Sequence, residues 1–198
     1  MRIIAGTLKG RRLETPTWDG LRPSSDKLRE TLFNVLAPRM DGARFLDGFA
    51  GTGAVGFEAL SRGAEHVIFI ERDPRACRLI EENARRCGVA GGYTILRGGV
   101  VETARREALG PFDLVFLDPP YVEKGDKYVR DAMTAAMQWL TPDGRLVMEH
   151  ATREPLDAVA GARLVRTLKS GDTTLSFFER VEQPGGESTV AESTESTD

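Results

Sequence analysis

Residues 47–56 read Asp47-Gly48-Phe49-Ala50-Gly51-Thr52-Gly53-Ala54-Val55-Gly56, and this stretch restricts the fold more than any other. Gly51, Gly53 and Gly56 form G-x-G-x-x-G between a strand expected near 44–48 and a helix expected near 54–62. Glycines there permit a tight turn and a close approach of backbone to a ligand. Glu71 follows Gly51 by 20 residues at the end of the next strand, where its carboxylate can accept both ribose hydroxyls. From residue 43 strand and helix patterns alternate, which is the signature of a parallel α/β sheet. Further strands are expected near 66–71, 93–97, 112–117 and 144–149, and further helices near 74–87, 100–108 and 127–139. Thr141-Pro142-Asp143-Gly144 reads as a turn. Strands near 162–169 and 173–180, joined through Gly171-Asp172, should close the sheet with an antiparallel hairpin.

The loop points to a nucleoside cofactor, and Asp47 helps to choose which. A dinucleotide brings a pyrophosphate, which a carboxylate just before the glycines would repel. S-adenosylmethionine carries an α-ammonium, a sulfonium and no phosphate, so Asp47 for the ammonium and Glu71 for the ribose suit it better. A second constellation ends the strand Phe112–Leu117: Asp118-Pro119-Pro120-Tyr121. Each proline fixes its φ and removes an N–H, and the residue before a proline is held extended. The result is a stiff corner with outward carbonyls, one carboxylate and one flat ring. It can accept hydrogen bonds from an exocyclic amine while Tyr121 stacks on the base.

The 198 residues suit one domain with a small extension, and the charged fraction of 29% is ordinary for a globular chain. No apolar run approaches the ~20 residues that span a bilayer, and no signal-peptide core is visible at the N-terminus, so a cytoplasmic protein is expected. Cys77 and Cys87 lie about 15 Å apart along one helix and read as reduced. His66 and His150 have no partners at metal-ligand spacing, so no metal is expected. The net charge of −3 becomes +2 once the five acids of residues 182–198 are set aside. That Ser/Thr/Glu tail is too polar to bury and is expected to be disordered.

Residues 1–40 carry eight Lys/Arg against four Asp/Glu. Arg2-Ile3-Ile4-Ala5 and Arg11-Arg12-Leu13-Glu14 read as a hairpin, whose Arg2, Lys9 and Arg11 could hold phosphates. Arg22-Pro23-Ser24-Ser25-Asp26-Lys27 then opens a helix, gathering charges and hydroxyls at its N-terminus. Three parts follow: an extension at 1–40 on the RNA or substrate side, a catalytic domain at 41–181, and the tail at 182–198.

Taken together, Arg2-Ile3-Ile4 with Gly6, the run from Arg22 to Lys27 with Arg29-Glu30-Thr31-Leu32-Phe33-Asn34, the loop Asp47–Gly56, Glu58-Ala59-Leu60-Ser61-Arg62-Gly63-Ala64 and Asp118–Tyr121 resemble the RsmD family. These are bacterial methyltransferases that modify the N2 of a guanine in 16S ribosomal RNA. The resemblance implies a Rossmann-like class I methyltransferase fold with a seven-stranded, mostly parallel sheet and S-adenosylmethionine as donor. It also implies 16S rRNA, within a small-subunit particle, as substrate. Carried over, Asp118, Pro119, Pro120 and Tyr121 hold the target amine. Asp47, Phe49, Ala50, Gly51, Thr52 and Gly53 hold the methionine part, and Glu71 holds the ribose, with Arg72, Gly99 and Val100 completing the cofactor set. Arg22, Ser24, Ser25, Asp26 and Lys27 lie over the reacting centre. The chain departs from the family at Gly48, usually apolar, and at Gly98-Gly99, where Gly-Asp is common. A backbone contact is therefore expected at the adenine.

The reaction implied is direct displacement by the amine at the sulfonium methyl, without a covalent enzyme intermediate. Asp118 and the Pro119 carbonyl would stabilise charge developing on the nitrogen. Methylation of adenine N6 in DNA or RNA is the nearest rival, because that amine also fits the corner. A nicotinamide oxidoreductase fits the glycine loop but not Asp47, and a non-catalytic rRNA-binding assembly factor leaves the corner unexplained. A monomer is expected.

Overall fold

The computed structural model describes residues 1–18, 25–106, 108–120, 125–154, 156 and 159–181. Arg22, Ser24 and Tyr121, and the expected disorder of 182–198, lie outside the described residues. The elements run α1 (Asp26–Leu36), a short 3-10 turn (Ala37–Arg39), β1 (Arg44–Gly48), α2 (Ala54–Ser61), β2 (His66–Glu71), α3 (Pro74–Arg86), β3 (Tyr93–Arg97), α4 (Val100–Ala104), β4 (Phe112–Leu117), α5 (Gly125–Gln138), β5 (Leu140–Ala151), β6 (Ala162–Ser170) and β7 (Thr173–Arg180).

The sheet has seven strands in the order β3-β2-β1-β4-β5-β7-β6. β1 to β5 are parallel, and β7 enters antiparallel between β5 and β6. Side-chain alternation builds a core on each face. Phe45, Phe69, Phe116, Val147 and Phe177 pack with Phe33 of α1, Phe57 of α2 and Ile80 of α3. Leu46, Ile70, Val115, Leu117 and Met148 pack instead with Val100 of α4 and Met133 and Met137 of α5. Strands buried on both faces explain the near-continuous apolar runs of the sequence. The order reverses beside β1, so the ends of β1, β2 and β4 open together at one carboxyl edge, where ligands bind in such sheets.

Three local expectations are corrected. Residues 1–15 turn back on themselves as expected but form no extended strands: an isolated bridge pairs Arg2 with Arg12, and the Ile3, Gly10 and Leu13 amides donate to the Arg11, Ile3 and Met1 carbonyls at 3.0, 2.9 and 3.1 Å. The Ile4 and Ala5 amides donate instead to the two carboxylate oxygens of Glu58, at 2.8 and 2.9 Å. Gly6 adopts φ +79° against the end of α2, where a Cβ would meet the Ser61 carbonyl oxygen at 1.7 Å. Thr141–Gly144 is no free turn but an irregularity inside β5, where Leu140 pairs with Phe112 and Arg145 with Leu114. α4 stops at Ala104, short of the expected residue 108.

Candidate active site

The glycine loop leaves β1 through a strained backbone. Phe49 adopts φ +69°, unusual for a residue with a Cβ and a conformation that costs about 1–2 kcal/mol. The Phe49 and Ala50 amides both donate to the Ile70 carbonyl of β2 at 3.0 Å, which holds the bend. Gly51 and Gly53 also have positive φ, at 54° and 75°, and Gly53 caps α2. Strain of this kind concentrates at functional sites. The sequence placed glycines here but gave no sign that Phe49 would share their conformation.

Two buried carboxylates flank the loop. Asp47 is 2% exposed, and its Oδ2 accepts the Gly56 amide at 2.8 Å. Burial pushes its carboxyl up to about 8, the Gly56 N–H pulling it back and the Glu71 charge adding to the rise. Glu71 accepts the Gly51 amide through Oε2 and the Asp73 amide through Oε1, both at 2.8 Å. Each carboxylate oxygen retains a second lone pair, so Glu71 can still receive hydroxyl donors. Arg72 follows on the exposed side.

β4 ends beside this loop. Gly48 pairs with Leu117, and the Asp118 amide reaches the Gly48 carbonyl at 3.5 Å. Asp118 is half-buried, Pro119 buried and Pro120 exposed. The apolar residue usual at position 48 would not fit: a Cβ there would meet Leu117 Cδ2 at 2.5 Å and Val100 Cγ2 at 3.2 Å. Leu117 and Val100 thus fill the space that Gly48 vacates.

At the end of β3 the structure adds a residue that the sequence reading missed. A Cβ on Gly99 would meet Glu102 Oε2 at 2.1 Å and the Tyr128 hydroxyl at 2.9 Å. The Glu102 carboxylate therefore folds back over Gly99, into the space a side chain at 99 would take. Tyr128 stands edge-on to Phe49, with ring centroids 6.0 Å apart. Burial pushes the Tyr128 phenol up and the Glu102 charge adds to this, while Arg72 opposes it. An acid three residues into a helix normally suggests a capping role, which is why its place beside Gly99 was not read from sequence.

Asn83, fully buried in α3, ties the loop to the N-terminal segment. Its Nδ2 donates to the Thr52 carbonyl at 3.0 Å and its Oδ1 accepts the Glu14 amide at 2.7 Å. Of the expected substrate residues, Arg2, Lys9 and Arg11 are exposed, and Arg11 lies over Gly88 just past α3. The Ser25 hydroxyl caps α1 by accepting the Leu28 amide at 3.2 Å. Asp26 pairs with buried Arg29 at 2.6 Å, and Lys27 is exposed.

A family model described as conserved hypothetical protein 95 matches residues 1–179. This chain belongs to that family. The YlbH protein of Bacillus subtilis is 38% identical over 91% of this chain and 99% of its own length. Ribosomal RNA small subunit methyltransferase D of Haemophilus influenzae is 32% identical over 90% of this chain and 93% of its own length. Among solved structures, the yhhF protein of Escherichia coli superposes with a TM-score of 0.81 at 31% identity, covering 92% of this chain and 99% of that one. Within this family the seven-stranded sheet is the Rossmann-like class I methyltransferase fold, and the chain is a methyltransferase.

The site residues fit an adenosyl cofactor. Glycine turns bring bare backbone to the loop, a buried carboxylate held by a backbone amide stands at Asp47, and Glu71 is held rigid by two amides. Among the described residues no group of His, Cys, Asp or Glu could hold a metal, and no helix is long and apolar enough to cross a membrane.

Proposed function

We propose that this protein transfers a methyl group from S-adenosylmethionine to the exocyclic N2 amine of a guanine in 16S rRNA, in the assembled or assembling small subunit. The observation that carries the reading is the seam between β1 and β4, which sets the Asp118 corner directly beside the glycine loop and its two carboxylates. The names of the curated relatives supply the substrate class.

When bound, the cofactor supplies an electrophilic methyl on a sulfonium. Asp47 receives the α-ammonium, Glu71 the ribose, and Phe49 to Gly53 surround the methionine part. Glu102 accepts the adenine amine, taking the place of a side chain at Gly99, while Val100 and Tyr128 bound the ring. At the acceptor, Asp118 and the Pro119 carbonyl take hydrogen bonds from the amine N–H groups. A ring-conjugated amine is a poor nucleophile, and acceptors on its hydrogens favour pyramidalisation and stabilise the positive charge that develops. Holding the two reactants together contributes most of the acceleration. Tyr121 stacks on a base drawn from its neighbours. Arg2, Lys9, Arg11, Arg22 and Lys27 meet phosphates, and the polar groups at Ser24, Ser25 and Asp26 lie over the reacting centre. The protein works as a cytoplasmic monomer.

The test is to incubate the protein with labelled donor and unmethylated small subunits, then identify the modified nucleoside by mass spectrometry. N2-methylguanosine is expected; N6-methyladenosine, or no label, would overturn the assignment.

A further inference from the structure

Leu164, Val165 and Val181 are the exposed large hydrophobic residues among those described, and they gather at one edge of the sheet. Leu164 and Val165 lie on β6, the edge strand, and Val181 just past β7. A register shift between Leu164 and Arg166 leaves Val165 without a partner position on β7. Beside it a cleft of about 230 Å³ opens between the end of α1 and the outer strands. Its apolar lining comes from Val35, Leu36, Val165 and Phe177, and its guanidinium groups from Arg39, Arg145 and Arg166.

The charged residues that line the cleft are all cationic. β6 carries Arg163, Arg166 and Lys169 and no acid. Glu179 on β7 is engaged by Arg145 at 2.6 Å and Arg163 at 2.7 Å. Arg39 gives one N–H to the Asp143 carbonyl at 2.9 Å and keeps further donors. An exposed apolar edge strand invites another chain to pair with it, but the cations of β6 would repel a second copy of this one. Guanidinium groups around a small apolar recess fit a nucleotide better, with phosphate on the arginines and a base against the aliphatic wall. The volume lies below the ~300–1,000 Å³ of drug-sized pockets, so the recess takes the base alone while the phosphate stays outside on the arginines.

We propose that this cleft is a second RNA-docking site, taking an unstacked nucleotide of the same rRNA substrate away from the reacting corner. The cleft's Phe177 pairs with Val147, which pairs with Phe116 of β4, and Arg166 lies one strand further out, so the cleft is set two to three strands to the side of the Asp118 corner. The inference rests on rRNA being the substrate, as proposed above.

The test compares the full chain with an Arg39→Ala/Arg166→Ala double variant and a Val165→Asp variant. Binding to protein-free small-subunit rRNA and to assembled subunits is measured across a salt series, alongside thermal unfolding, cofactor calorimetry and steady-state kinetics. The double variant should bind rRNA about tenfold more weakly, with a salt slope reduced by about one per lost phosphate contact. KM for RNA should rise while kcat and cofactor affinity hold. Val165→Asp should lose affinity comparably without removing a cation. Unchanged affinity and slope in a folded double variant would refute the site. So would a loss confined to assembled subunits, which would indicate a protein partner. A wild-type chain that binds rRNA through the cleft but methylates no guanine would refute the proposed function and leave the cleft standing.

Discussion

Asp47 Oδ2 accepts the Gly56 amide at 2.8 Å, so this buried carboxylate is held by a backbone group from the helix it precedes. With its carboxyl pushed up to about 8, the fold favours protonated Asp47. That contribution to stability is complete below the ordinary aspartate value of 3.8 and is lost as pH climbs through about 8. Unliganded wild-type protein should therefore lose thermal stability relative to Asp47→Asn across that interval. An ammonium ligand favours the carboxylate, so cofactor binding near neutrality should release a proton. Calorimetry in buffers of different ionisation heat measures this release, which Asp47→Asn should abolish.

Glu71→Ala removes the acceptor of two backbone amides and, with it, the proposed ribose contact. Cofactor affinity should fall by at least tenfold on calorimetry, and stability by about 1–3 kcal/mol on denaturant unfolding. An unchanged dissociation constant would take Glu71 out of the cofactor site.

Asp118→Ala should eliminate methyl transfer while cofactor affinity stays within about twofold, because the proposed role of the corner is on the acceptor side alone. Asp118→Asn keeps one carbonyl acceptor and should retain a slow rate. Wild-type turnover in the alanine variant would refute the assigned role.

Glu102 can be probed with a changed base. Replacing the adenine amine by the carbonyl of S-inosylhomocysteine turns a donor into an acceptor facing a carboxylate. The wild-type chain should bind S-adenosylhomocysteine more tightly by ~10-fold or more, about 1–3 kcal/mol. In Glu102→Gln the preference should collapse, since an amide can present either a donor or an acceptor. A preference that survives the substitution would leave Glu102 a helix cap and nothing more.

Glu58, fully buried, accepts the Ile4 and Ala5 amides and pairs with Arg62 at 2.7 Å. Glu58→Ala should cost about 3 kcal/mol of stability, and hydrogen exchange should show the amides of residues 4 and 5 losing protection.

The central sheet was legible because each parallel strand is a short apolar run bounded by turn residues, and the glycine loop announced itself by spacing. The N-terminal arms were legible in part. Alternation and bracketing glycines announce the turn, and the Ile3, Gly10 and Leu13 amides do pair across it, but only packing shows that Glu58 takes the Ile4 and Ala5 amides. Thr141–Gly144 carries true turn residues, yet the excursion it makes is absorbed within β5. Position 99 hides its neighbour differently. Glu102, three residues downstream, folds its carboxylate over Gly99, and no spacing rule in the sequence announces that.

The Gly48–Leu117 pairing has an evolutionary consequence. The glycine loop and the Asp118 corner leave adjacent strands, so their backbones start about the interstrand spacing of ~4.8 Å apart. That separation is a property of the main chain and survives side-chain drift. On the proposed function, remodelling the first forty residues would change the nucleic-acid client while the reach of the transfer step is inherited unchanged.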